Sequence, residues 1–154
     1  MRKLILISCA LVAFCFSNSV LSQTKNKKQE LNKLEVLKAP LSEKEKSLIV
    51  EAYSLEYLNL VQKNKSLEIR FKDILRNRVR LTEVVYKEKL DLYPLLSSIG
   101  FYTEFNKNLD KDKAFNKENF NVLKYNFNFD SDINYAVRID NTNFILRVDS
   151  QFKK

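Results

Sequence analysis

The stretch Tyr135–Val148, YAVRIDNTNFILRV, decides the fold of this chain. Tyr135, Val137 and Ile139 alternate with smaller or polar residues on one side of a polar DNTN segment, and Phe144, Leu146 and Val148 do so on the other. Strict alternation of this kind is the signature of a half-buried strand. Closing the chain at Asn141-Thr142 sets Ile139 opposite Phe144 and Val137 opposite Leu146, so that all the large residues meet on one face. A slip of one residue would turn half of them outward, which fixes the register. Asp140, Asn141 and Asn143 tolerate turn geometry. The loop holds no glycine, so a four-residue loop with the same register stands beside a two-residue one.

Moving outward, Leu123–Phe129, LKYNFNF, alternates in the same way. Leu123, Tyr125, Phe127 and Phe129 are expected on a dry face, with Lys124, Asn126 and Asn128 on a wet one. These segments predict a C-terminal antiparallel meander of three strands: Leu123–Phe129, Ile133–Ile139 and Phe144–Asp149. Val79–Tyr86, rich in β-branched residues, is a fourth strand that joins it. Three to five strands fall short of the roughly eight or more that an outer-membrane barrel requires.

The helical signal lies upstream. Pro40-Leu41-Ser42-Glu43-Lys44-Glu45 carries a capping box, in which Ser42 caps the first turn and Glu45 reaches back to it. A long helix is expected from Glu43 to Gln62, with Leu48, Ala52, Leu55 and Leu58 in one stripe. Val50, Tyr57 and Val61 give it apolar residues on more than one side. Leu67, Phe71, Ile74 and Leu75 fit a short second helix. Tyr93-Pro94 stops regular structure, and Leu95–Ile99 is a short apolar element. Gly100, the only glycine, is expected at a positive φ in a tight turn. In the polar loop from Phe105 to Asn121, phenylalanines pin the chain to the core and asparagines supply turn and cap hydrogen bonds. The fold class is therefore α+β, a long N-terminal helix packed on the meander.

At the N-terminus, Met1-Arg2-Lys3 precedes an apolar run from Leu4 to Phe16 and the small-residue segment SNSVLSQ. This is the pattern of a secretory signal peptide over residues 1–22, cut before Gln23. The run is too short for the ~20 residues of a bilayer span. A basic flexible leader is expected over 23–39, and one α+β domain over 40–154. Within the leader, Leu31, Leu34, Val36 and Leu37 can form a short helix or strand on docking. Removing Arg2 and Lys3 lowers the net charge from +8 to about +6. That balance permits weak attraction to phosphate-rich surfaces such as lipid headgroups, lipopolysaccharide or nucleic acid without selecting one.

The chemistry bears on function by elimination. Both cysteines, Cys9 and Cys15, lie in the signal segment, and the chain has no histidine. The mature chain then has no disulfide, no thiolate nucleophile, no Ser-His-Asp triad and no Cys/His metal site. With one glycine there is no glycine-rich phosphate loop. A hydrolase using carboxylates alone would have to draw on residues such as Asp130, Asp132 and Asp140, all at expected turns where capping is the ordinary task. The chain reads as a non-enzyme without a cofactor.

One segment stands out in charge. RFKDILRNRVR places Arg70, Arg76, Arg78 and Arg80 around Asp73. Arginine forks suit carboxylate and phosphate partners, while nearby acids such as Glu68, Glu83, Glu88 and Asp91 offer them internal ones. The contact residues expected for a partner are Arg76, Arg78 and Arg80, with Asn126 and Asn128 on the wet face. An extended edge left by the final strands would serve the same purpose.

The runs KLEVLKAPLSEKEKSLIVEAY, KDILRNRV, FNVLKYNFNF and RIDNTNFIL resemble small exported proteins of flavobacteria and related Bacteroidota across nearly all of the mature chain. The resemblance implies a periplasmic or outer-membrane-associated location and brings no catalytic residues with it. It also implies an accessory role beside the secretion and gliding machinery of those cells. The leading expectation is an exported binder of a cell-envelope protein. A binder of anionic glycolipid or polysaccharide through the arginines is the second, and the carboxylate hydrolase the third. Nucleic acid is disfavoured by export.

Overall fold

The computed structural model of the chain describes residues 31–85, 87–110 and 114–152. The expected signal segment and the Lys-rich start of the leader lie outside the described residues. The chain divides into two units, residues 1–39 and Pro40–Lys154. In the first, residues 31–38 are helical (α1), with Lys38 paired to Glu35 at 3.0 Å one turn apart. Among the described residues no helix is long and apolar enough to cross a membrane.

The second unit is α+β. Its helices are α2 (Glu43–Ala52), α3 (Leu55–Lys63) and α4 (Lys65–Asp73), followed by a π-helical turn over Ile74–Arg78. Its strands are β1 (Val79–Glu83), β2 (Tyr135–Arg138) and β3 (Phe144–Val148), which form one antiparallel sheet in the order β1-β3-β2. The capping box forms as expected. Ser42 Oγ accepts the Glu45 N–H at 3.2 Å, and the Glu45 carboxylate accepts the Ser42 N–H at 2.8 Å.

The single long helix is corrected to two. Ser54 adopts extended backbone, and its hydroxyl accepts the Tyr57 N–H at 3.1 Å, so a new N-terminus starts one turn early. The break rotates the stripe. Ile49 and Ala52 are buried on α2 and Leu58 and Val61 on α3, whereas Leu55 is exposed.

The hairpin holds its expected register, with Tyr135 opposite Val148 and Val137 opposite Leu146. Ile139 donates its N–H to Phe144 O at 2.9 Å, so the loop is the four-residue form. Asn141 supplies the positive φ, 58°. The fourth strand also forms as β1, and it pairs with β3 so that Val79 and Leu81 face Val148 and Leu146. These side chains join Val137 and the helical residues Ile49, Phe71 and Ile74 in one core.

Further expectations are corrected here. Leu123–Phe129 is not a ladder strand and the sheet is not a sequential meander. Val122–Lys124 is a 3-10 turn, and only Tyr125 bridges, to Phe101. Beyond it, Phe127 N–H bonds Tyr125 O at 2.8 Å and Phe129 N–H bonds Phe127 O at 2.9 Å. The run winds through consecutive three-residue turns instead of pairing. Its alternation of burial is nonetheless real: Tyr125, Phe127 and Phe129 are buried and Asn126 and Asn128 exposed. Lys124 departs from the wet face. It is buried, and its ammonium meets Glu51 at 3.2 Å. Gly100 has no positive φ, and a Cβ there would meet nothing within 4 Å. Of the final strands, β3 lies at the centre of the sheet and β2 at one edge, with β1 at the other.

Candidate functional site

The three expected arginines are spread by the π-helical turn toward different internal partners. Arg76 makes a two-pronged pair with Glu45, Nε to Oε1 and Nη2 to Oε2 both at 2.6 Å, and also donates to Pro40 O at 2.7 Å. Arg78 is buried, donating to Asp149 O at 2.8 Å and to Phe129 O. Arg80, more than half exposed, pairs with the Asp149 carboxylate. Of the acids nearby in sequence, Asp73 lies 4.0 Å from Arg78, while the closer partners come from distant chain. Burial lowers the Arg78 pKa, against the pull of Asp73, but a guanidinium stays charged.

The register of β1 and β3 gathers a different arginine set. Arg80 lies directly opposite Arg147, and residues paired across a ladder share a face. Ala136 is also opposite Arg147, and Arg138 opposite Ile145, so Arg138 shares that face. Arg138 is paired with Asp91 at 2.9 Å. Among the described residues Arg147 meets no carboxylate; its one polar contact is the Tyr93 hydroxyl at 3.5 Å. Like charges directly opposite are unfavourable. Sequence spacing could not find this row, because it joins residues 67 positions apart through the register.

The same register leaves β1 with an open edge. Asp149 N–H bonds Arg78 O and Val84 N–H bonds Asn143 O, both at 2.9 Å. Even-numbered residues of β1 therefore turn their backbone groups toward β3, and odd-numbered ones turn theirs away. Val79 N–H is taken by Ile74 O. The N–H groups of Leu81 and Glu83 have no backbone acceptor among the described residues. The opposite edge, β2, is partly closed, since Arg138 N–H donates to Pro94 O at 2.8 Å.

Asn126 and Asn128 stand elsewhere, on the rim of a cleft of about 420 Å³. The break between α2 and α3 stacks Tyr53 on Tyr57, ring centroids 4.8 Å apart and nearly parallel. Phe105 comes from the polar loop to within 4.6 Å of the Tyr57 ring. Arg70 of α4 completes the wall, held by Asp130 through Nε to Oδ1 at 2.9 Å and Nη2 to Oδ2 at 2.7 Å. That fork holds the Asp130 carboxyl below its usual range, against burial. The hydrogen bond to Glu104 pushes the Tyr102 hydroxyl up to about 12, and burial raises Tyr53 further. Of the aspartates expected for hydrolysis, Asp130 is thus engaged by Arg70. Asp140 accepts Ser97 N–H at 2.9 Å, and Asp132 is exposed. Among the described residues no three acids, cysteines or histidines gather where they could hold a metal ion.

Sequence reasoning singled out Asn126 and Asn128 as partner contacts on a wet face, not as the rim of a cleft, and missed the wall. Tyr53, Tyr57, Arg70 and Phe105 come from the turn after α2, from α3, from α4 and from a loop, and no spacing rule links them. The available signal was Phe105 itself, an aromatic residue in a polar segment. Phe115 and Phe120 of that loop do pack against the core as expected, whereas Phe105 is 45% exposed.

No protein-family model, no curated protein and no solved structure matches this chain.

Proposed function

We propose that the chain is an exported, non-enzymatic binding protein of the cell envelope that takes an extended, acidic segment of a partner protein along β1. The observation that carries this reading is the open edge: the N–H groups of Leu81 and Glu83 point away from β3 without a backbone acceptor among the described residues. An added strand would satisfy them with main-chain hydrogen bonds. Charge supports an acidic segment. A carboxylate on the added strand beside Arg80 would relieve the Arg80–Arg147 opposition, and the whole chain is basic, with net charge +8. Export rests on the pattern of residues 1–22 and on the resemblance to exported Bacteroidota proteins. The rival reading, an anionic glycan held by Arg76, Arg78 and Arg80 together, is disfavoured because Arg76 and Arg78 are turned inward to partners within the chain, which leaves Arg80 alone more than half exposed.

A proline substitution separates edge pairing from folding, because proline removes an N–H. Glu83→Pro removes an N–H that the sheet does not use, while Thr82→Pro removes one directed at Ile145. In affinity capture from envelope extract, wild type should retain one stoichiometric partner. Glu83→Pro should fold but lose it, and Thr82→Pro should fail to fold. A folded Glu83→Pro protein that captures the same partner as wild type sinks the edge reading. Mass analysis of the secreted chain should place its first residue at Gln23.

A further inference from the structure

The cleft between Tyr57, Phe105, Arg70 and Asn126 is separate from β1 in its residues, and its chemistry points to a different ligand. It offers flat aromatic surface first. Phe105 is 45% exposed beside Tyr57, and the rings of Tyr53 and Tyr102 back it at centroid distances of 5.7 and 6.1 Å. Exposing aromatic area is unfavourable unless something apolar covers it in use. An aromatic face carries a negative quadrupole that attracts weakly positive C–H groups.

Directional polar groups lie at the edge of this surface. The side-chain amide of Asn126 has no partner among the described residues, and it presents both a donor and an acceptor. Asn128 accepts Asp130 N–H at 3.2 Å through Oδ1, which leaves its NH₂ group to donate. The charge of Arg70 is matched locally by the two-pronged bond to Asp130, and the Tyr53 and Tyr102 hydroxyls stay protonated at neutral pH. The wall is therefore polar and close to neutral, so it offers little net attraction to an anion.

A ligand with an apolar C–H face, hydroxyls around its edge and no charge satisfies all three features. We propose that this cleft binds a neutral saccharide, with one sugar ring lying on Phe105 and Tyr57 and its hydroxyls bonded to Asn126, Asn128 and the Arg70–Asp130 pair. The volume, about 420 Å³, falls in the range of roughly 300–1,000 Å³ of small-molecule sites.

The test titrates the full chain with neutral hexaoses built on glucose (α- and β-linked), mannose and N-acetylglucosamine, and with polygalacturonate as the charged counterpart. Tyrosine fluorescence and calorimetry read binding. At least one neutral oligosaccharide should bind, with an affinity that barely changes with salt. Phe105→Ala should weaken it about tenfold, the worth of one aromatic contact. Asn126→Ala should weaken it by a similar factor, for a lost hydrogen bond. Both side chains are exposed, and an unchanged thermal melt checks that each variant folds. Glu83→Pro should bind the sugar as wild type does, which keeps this result independent of the partner-capture experiment. Binding to none of the neutral probes overturns the proposal. So does binding to polygalacturonate alone with steep salt dependence, or a Phe105→Ala variant that binds as tightly as wild type.

Discussion

Glu45 accepts from the Ser42 backbone at 2.8 Å and from both prongs of Arg76 at 2.6 Å, so one carboxylate closes the α2 capping box and ties it to the π-helical turn. Burial pushes this carboxyl up, but the bonds from Arg76 and Ser42 outweigh it and leave it below its ordinary value of 4.5. A carboxyl lowered by folding contributes stability that is complete above its unfolded pKa and is lost as pH falls through the folded one. Glu45→Gln should therefore cost about 2 kcal/mol near neutrality, the sum of a weakened cap and a lost charged bond. Its urea midpoint should then fall less than that of wild type between pH 7 and about pH 3. Equal acid losses in the two proteins would remove Glu45 from the account. Arg78 acts differently, because it bonds two carbonyls, Asp149 O and Phe129 O, from inside the fold. Arg78→Met keeps the apolar stem and leaves both acceptors without this donor. It should cost about 2–4 kcal/mol in urea denaturation, whereas Arg80→Met, at an exposed pair, should cost under about 1 kcal/mol.

The elements differ in how far the sequence discloses them, and the hairpin shows why. Its register is set by residues that face each other across one loop, so a local alternation contains the whole answer. The loop is then open to a direct test. Asn141 sits at φ 58°, which glycine adopts freely and other residues only with strain. Asn141→Gly should leave the thermal midpoint unchanged or raised, and Asn141→Val should lower stability by about 1–2 kcal/mol. Leu123–Phe129 carries an equally regular alternation and yet pairs at a single residue. Alternation reports one-sided burial, and that much was legible; whether a neighbouring strand lies in reach depends on distant chain. The helix break was partly written in the residues as well. Apolar positions on several sides of one long helix are also what two shorter helices with different buried faces produce, and Ser54 is a good cap in the middle of the run. The arginines were legible as a cluster but not as a site. Their partners Glu45, Phe129 and Asp149 lie 31 to 71 positions away, and only the tertiary fold selects them over the nearby acids. The cleft was the least legible feature, since each of its walls comes from a different element.

The sheet joins the middle of the second unit to its C-terminal part. β1 begins at Val79 and pairs with β3, which ends at Val148; β2 also pairs with β3, and on its far side Arg138 bridges Leu95. Among the described residues the core runs from Leu41 to Val148. Two consequences follow for the whole chain. Residues 40–154 contain every side chain of that core, so this fragment should unfold in urea as a single cooperative step, with the same slope as the full chain. The central strand is also the last in chain order among the described residues. Until it is present, β1 and β2 have no shared neighbour, and Ile145, Leu146 and Val148 are missing from the interior. A fragment ending at Asn143 should therefore remain unfolded by circular dichroism and resist no protease, even though all three helices of the unit are intact. Its folding would place the sheet's contribution in β1 and β2 alone and would make β3 an addition to a core already formed.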